Sequence, residues 1–276
     1  MAWLGDVQPA WAGLEPGSID ALLRVGKLGD PPSAVSGALD LEALAGSSAL
    51  VHARLVLRAL AESGGAQLTA TGNLNRKFVG EMLDMFRWPG LTAADVRSVN
   101  KVVNETDFMP LHFLRIILQE ARLVRRHKGK LGITRAGAEL LEDRAAGVLM
   151  RTLFVTTFGR FNLTYLDRTP LERFPQDQVT FVLCLLGIVA TDWAAPGTLV
   201  RKAALPSAEV LEAVRRDLPD FAFEARLLRP LHWFGLMDRR NPGPGARFGP
   251  PEYRKTPLYD RLLSFDVPLR APHPAF

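Results

Sequence analysis

Apolar residues recur along most of this chain at the three- and four-residue intervals of an amphipathic helix. Between 49 and 62 the positions Leu50, Ala53, Val56, Leu57 and Leu60 share one face, with Ser47 or Ser48 as N-cap and Ser63-Gly64-Gly65 as the stop. A second helix is predicted over 75–86, with Phe78, Met82, Leu83 and Phe86 on one side and Pro89-Gly90 as the break. Ser18 predicts the start of a short helix to Leu28, Thr92 caps another over 93–103, and Met109-Pro110 places proline in the first turn of a helix over 110–121. Strands are few and short: 123–126, 131–134, 236–239 and 253–256.

These pieces are organised by an internal repeat. Arg122-Leu123-Val124-Arg125-Arg126 followed by Leu131-Gly132-Ile133-Thr134 reads as helix, strand, turn, strand and a threonine that caps a returning helix. Gly235-Leu236-Met237-Asp238-Arg239-Arg240 followed by Tyr253-Arg254-Lys255-Thr256 repeats the order. The segment Leu68-Thr69-Ala70-Thr71-Gly72-Asn73-Leu74 echoes the strand-to-helix step without a hairpin before it, a degenerate relative. Aligning Leu123 with Leu236 sets Pro230 against mid-helix Ile117, so a kink is expected in the second copy.

The stretch Ala121-Arg122-Leu123-Val124 through Ile133-Thr134-Arg135-Ala136-Gly137 resembles the wing segment of bacterial winged helix-turn-helix regulators. The second copy is similar to the closing segment of bacterial winged-helix-like proteins, and 68–79 resembles a helical module found in such proteins. The resemblance implies a mainly α fold with short β-hairpins: an N-terminal helical region over 1–90, a first winged-helix-like unit with connecting helix over 91–170, and a second over 171–276. Winged helices also mediate protein contacts, so the fold leaves function open.

Composition bounds the rest. Of 276 residues, 47% are hydrophobic and 23% charged, which excludes a disordered chain. The net charge is +5 with a pI near 9.6. By thirds it runs −2 over 1–100, +3 over 101–200 and +4 over 201–276, so a phosphate-bearing partner is expected in the last two thirds. The single cysteine, Cys184, lies in an apolar run and reads as a small buried hydrophobe in a helix starting near Asp177. The first residues lack the pattern of a secretory signal, and the longest apolar stretch, 179–190, is too short to span a bilayer. A cytoplasmic protein without membrane contact is expected. The excess of Arg over Lys, 27 against 7, suits a GC-rich bacterial genome.

The candidate chemistry is electrostatic. In the 110–121 helix Leu111, Leu114, Leu118 and Ala121 form a packing stripe, while His112, Arg115, Gln119 and Arg122 share another face that suits base edges in a major groove. The run Arg122, Arg125, Arg126, His127, Lys128, Lys130 contains no acid and coincides with the wing, so Arg126, Lys128 and Lys130 are expected to meet phosphates. Arg239, Arg247 and Arg254 surround the longer Pro/Gly tip of the second hairpin and are expected to meet DNA phosphates as well, with the tip following a minor groove; the alternative is a mobile connector. Phe154, Phe158, Phe161 and Tyr165 follow a helical interval, as a core or dimer stripe does.

No nucleotide-binding glycine fingerprint or nucleophile elbow is present, and the five histidines are scattered without metal-ligand spacing. No enzyme, cofactor or metal is expected. The expected function is duplex DNA binding with a regulatory role. The alternative is a protein-interaction scaffold of winged-helix-like domains, as a homodimer or with a protein partner.

Overall fold

The computed structural model describes residues 3–25, 27–213, 218–241 and 249–268. Contacts divide the chain into Gly37–Phe161 and a second unit made of Met1–Ser36 with Asn162–Phe276. The expected boundaries at 90 and 170 do not coincide with this division. Residues 37–90 fold with the first hairpin and do not form a separate helical region.

In chain order, the second unit contributes α1 (Pro16–Leu23) and β1 (Ser33–Val35). The Gly37–Phe161 unit then holds α2 (Ser48–Glu62), β2 (Ala66–Gln67), α3 (Arg76–Met85), α4 (Ala93–Val99), α5 (Met109–Glu120), β3 (Val124–His127), β4 (Lys130–Ile133), α6 (Arg135–Glu139) and α7 (Ala146–Gly159). The remainder is α8 (Val179–Val189), α9 (Pro196–Ala203), α10 (Ala208–Ala213), α11 (Leu218–Phe223), a π-turn (Glu224–Leu228), α12 (Arg229–Trp233), β5 (Met237–Arg240), β6 (Glu252–Lys255), α13 (Pro257–Leu262) and β7 (Leu263–Phe265). The protein is mainly helical, with a few short antiparallel strand pairs.

Local chemistry starts most helices of the Gly37–Phe161 unit. Ser47 caps α2 by accepting from the Leu50 amide, Asn75 caps α3 by accepting from Phe78, and Thr92 forms a capping box with Asp95 at α4. Leu50, Ala53, Val56, Leu57 and Leu60 are all buried, as their spacing predicts. Phe78, Met82, Leu111, Leu114, Leu118 and Phe154 of the same unit are buried as well, and α2 packs against α5 and α7. The Phe154–Phe158–Phe161 stripe is buried, but α7 ends at Gly159 and Tyr165, 49% exposed, lies in a following 3-10 turn. Strands β2, β4 and β3 form one antiparallel sheet in that order, with Ala66 opposite Leu131 and Val124 opposite Ile133. The hairpinless echo at 68–74 therefore follows the first strand of this sheet. The expected start at Ser18 is displaced: Pro16 opens α1 and Ser18 lies inside it.

In the other unit β1 pairs with β7, tying Ser33–Val35 to the residues after α13. The side chains of Arg226 and Asp167 are both fully buried, joined at 2.7 Å, and the guanidinium also donates to the carbonyls of Leu171 and Phe174. A charge buried so completely must have such partners. The expected kink at Pro230 takes the form of the π-turn before it. Proline has no N–H and crowds the carbonyl four residues back. The wider turn moves bonding to five residues, as in the Arg229 amide on the Glu224 carbonyl.

The two hairpins make matching backbone bonds. Leu123 donates to Leu118 and Leu236 to Leu231, Thr134 to Leu123 and Thr256 to Leu236, each at 2.9 Å. Arg122 and Gly235, one residue before each pair, both have positive φ. Ala194 bridges Tyr253 on both sides as β2 pairs with β4. The order helix, short strand, helix, helix, helix, hairpin, helix from α2 to α6 is thus echoed from α8 to α13, with the Ala194 bridge in place of the short strand and α11, the π-turn and α12 following one another in place of the third of the three helices.

Candidate functional site

The polar face of α5 is not available to a groove. Glu105, four residues before the helix, is fully buried; its Oε1 accepts from Arg115 Nε at 2.5 Å and lies 2.6 Å from His112 Nδ1. Its Oε2 accepts from the Leu74 amide at 2.5 Å. Arg115 also donates to Gln119 Oε1. His112 and Arg115 are buried and Gln119 is half-buried. The expectation that His112, Arg115 and Gln119 read bases is thus corrected: a carboxylate from outside the helix draws them inward, because a buried charge needs a countercharge and its lone pairs need donors. Burial alone would raise the Glu105 pKa, but the bonds from His112, the Leu74 amide and Arg115 outweigh it and hold the carboxyl below its ordinary value. Arg122 leaves the helix face altogether and sits exposed in the turn after it, at φ 59°.

The first hairpin keeps its charge. Lys128 and Gly129, at φ 46° and 73°, make the two-residue tip, and positive φ at both positions matches the twist of the flanking strands. Strand alternation and register put Val124, Arg126, Leu131 and Ile133 on one face and Arg125, His127, Lys130 and Gln67 on the other. Leu131 is buried, so the second set faces outward. Gly132, opposite Arg125, leaves that face without an opposing side chain. Arg126 reaches across the inner face to Gly72: its Nη1 lies 2.6 Å from where a Cβ at 72 would stand. Among the described residues, none of Arg122, Arg125, Arg126, Lys128 and Lys130 is in an ion pair. Of the expected phosphate contacts, Lys128 lies at the tip and Lys130 on the outward face, which also carries Arg125 and His127, whereas strand alternation turns Arg126 to the opposite face, toward Gly72.

The second hairpin pairs its opposed charges. Asp238 stands opposite Arg254 and Arg240 opposite Glu252, with ion pairs at 3.0 and 2.6 Å. The guanidiniums of Arg240 and Arg254 lie 4.5 and 4.7 Å from the Trp193 ring centroid. Arg239 Nε donates to the Tyr253 hydroxyl at 3.1 Å. Arg254 is therefore engaged by Asp238 and Trp193, contrary to its expected phosphate role, since directly opposed charges on adjacent strands pair. Arg247 lies outside the described residues.

The two units also differ in charge. Gly37–Phe161 holds 17 basic and 12 acidic residues, whereas the rest of the chain holds 17 of each. Divided this way, the net +5 falls entirely in the first of these. Among the described residues no His/Cys/Asp/Glu group is placed to hold a metal, and no helix is long and apolar enough to cross a membrane. Cys184 is buried in α8, and burial pushes its thiol up to about 11.

Residues 45–146, within the Gly37–Phe161 unit, match the family described as the Y4jL N-terminal domain. The chain is also similar to the uncharacterised protein y4jL of Sinorhizobium fredii, with 41% identity over 112 residues that make up 40% of this chain and 50% of that protein. It spans about half the length of the curated relative it matches. No solved structure matches it.

Proposed function

We propose that Gly37–Phe161 is a winged-helix-like module that holds duplex DNA by its phosphates, in a protein with a regulatory role. The observation that carries this reading is the unpaired basic run of the β3–β4 hairpin, presented at a two-residue tip and on an outward sheet face with no acid across from it. Such contacts act on every sequence alike. Base choice does not fall to α5, because Glu105 engages its polar side chains.

The test is a salt titration of the full chain with duplex DNA. Each phosphate contact contributes about −0.9 to the slope of log affinity against log salt, so replacing Arg125, Lys128 and Lys130 together by Gln should flatten it by roughly 2–3. Arg254→Gln should leave affinity and slope unchanged. Equal slopes for the triple variant and the parent would overturn the reading. The interaction-scaffold reading then gains, favoured by Val99 and Val102, which are 82% and 51% exposed at and after the end of α4.

A further inference from the structure

The unit formed by Met1–Ser36 and Asn162–Phe276 contains a cleft of about 610 Å³, within the size range of small-molecule sites. The first turn of α9 forms one wall, Phe221 and Pro250–Pro251 supply apolar surface, and Arg201, Arg229, Arg239, Asp220 and Glu224 supply charge. Two of the cations are already matched: Arg201 meets Asp220 at 3.1 Å, and Arg229 is paired with Glu224. One positive charge is left over, that of Arg239.

Arg239 is held from behind by a buried relay. Glu224, 6% exposed, accepts from the fully buried Tyr253 hydroxyl at 2.5 Å. Because that proton is directed at Glu224, the phenol oxygen turns its lone pair to Arg239 Nε. Burial, with the neighbouring Glu224 charge, keeps the phenol protonated and so preserves this direction. The guanidinium is thereby anchored at Nε, and neither terminal nitrogen has a partner among the described residues. A planar fork fixed on one side and open at its end matches the two oxygens of a phosphate or carboxylate.

We propose that this cleft binds a small organic anion, its oxyanion on the open end of Arg239 and its apolar body against Phe221 and the Pro250–Pro251 wall. This site is independent of the nucleic-acid reading for Gly37–Phe161. It uses other residues in the other unit, and Lys130→Gln should leave it untouched.

The experiment is calorimetric titration of the full chain with phenyl phosphate, with benzoate, inorganic phosphate and benzyl alcohol as comparison arms. Phenyl phosphate should bind saturably at one site with a Kd on the order of 0.1–1 mM, as expected for so small a ligand. Inorganic phosphate should bind more weakly for lack of an apolar body, and benzyl alcohol not at all. Benzoate decides whether carboxylates share the site with phosphates. Arg239→Gln should abolish binding, and Arg239→Lys should weaken it about tenfold or more, because an ammonium keeps the charge but not the fork. Should either variant fail to fold, modification of Arg239 by phenylglyoxal in the parent protein gives the same answer, with phenyl phosphate expected to protect it. Absence of saturable binding by both aromatic anions, unchanged affinity in either Arg239 variant, or unprotected Arg239 would overturn the proposal.

Discussion

Replacing Glu105 by Gln removes the charge around which the polar side of α5 is organised. The substitution keeps the shape but leaves Arg115, 6% exposed, without its countercharge. It also sets an amide NH₂ against at least one of the donors that now point at the carboxylate: Arg115 Nε at 2.5 Å or the Leu74 amide at 2.5 Å. Removing one partner of a buried ion pair typically costs about 3–5 kcal/mol. That is a large part of the ~5–15 kcal/mol by which a domain is stable. The assay is hydrogen exchange read by mass spectrometry on peptides from 109–120 and 66–75, whose opening free energies should fall by about 3 kcal/mol or more at neutral pH. The pH dependence has a definite sign. The folded-state pKa of Glu105 is lowered, so the unfolded chain takes up the proton first. The stabilisation is complete above the ordinary glutamate pKa and is lost as pH falls through the folded-state value. The gap between parent and Glu105→Gln should therefore narrow in acid. If exchange in α5 is unchanged by the substitution at neutral pH, the cluster is not a buried pair and its arginine is free to meet a groove.

Four further outcomes test local features. Gly137→Ala should destabilise the β3–β4 unit by about 1–3 kcal/mol, since the new Cβ would stand 2.2 Å from the Leu123 carbonyl oxygen; hydrogen exchange of the hairpin reads it. Thr134→Ala should cost about 1 kcal/mol and fray the start of α6, because the hydroxyl caps the Gly137 amide at 3.1 Å. Thr256→Ala should leave the start of α13 intact, because that hydroxyl donates to the Gly235 carbonyl at 2.7 Å and caps nothing; faster exchange at the Tyr259 amide would contradict this. Cys184, buried and with its pKa raised to about 11, should react with a thiol reagent at neutral pH only after unfolding, so rapid labelling of the native chain would refute its burial.

What could be read from the sequence was what local chemistry decides. Both hairpins lie within a residue or so of their expected positions, and Asn75, Thr92 and Thr134 start helices where their side chains predict. The Gly137 of the wing motif is explained by close packing against the Leu123 carbonyl. Out of reach were pairings between distant short segments. Two-residue β2 and three-residue β1 and β7 carry too little alternation to announce themselves, yet β2 places 37–90 with the first hairpin. The α5 face was misjudged for a related reason. Periodicity shows that His112, Arg115 and Gln119 share a side, but not that Glu105 occupies it from the preceding 3-10 turn.

The difference between the hairpins was within reach of the sequence, through register more than composition. Both copies carry a cluster of arginines, and by count alone they look alike. Written strand against strand, the second sets Asp238 opposite Arg254 and Glu252 opposite Arg240, while the first sets Arg125 opposite glycine and His127 opposite Lys130. Opposed unlike charges satisfy each other and fix a ribbon in place. Unopposed like charges gain nothing from the sheet and remain available to an outside anion. The same frame thus carries two electrostatic designs, an open one in the unit with the whole +5 excess and a closed one in the neutral unit. In the closed copy Arg239 is the exception, held by the neutral Tyr253 hydroxyl and not by an acid, at the edge of a cleft sized for a small molecule.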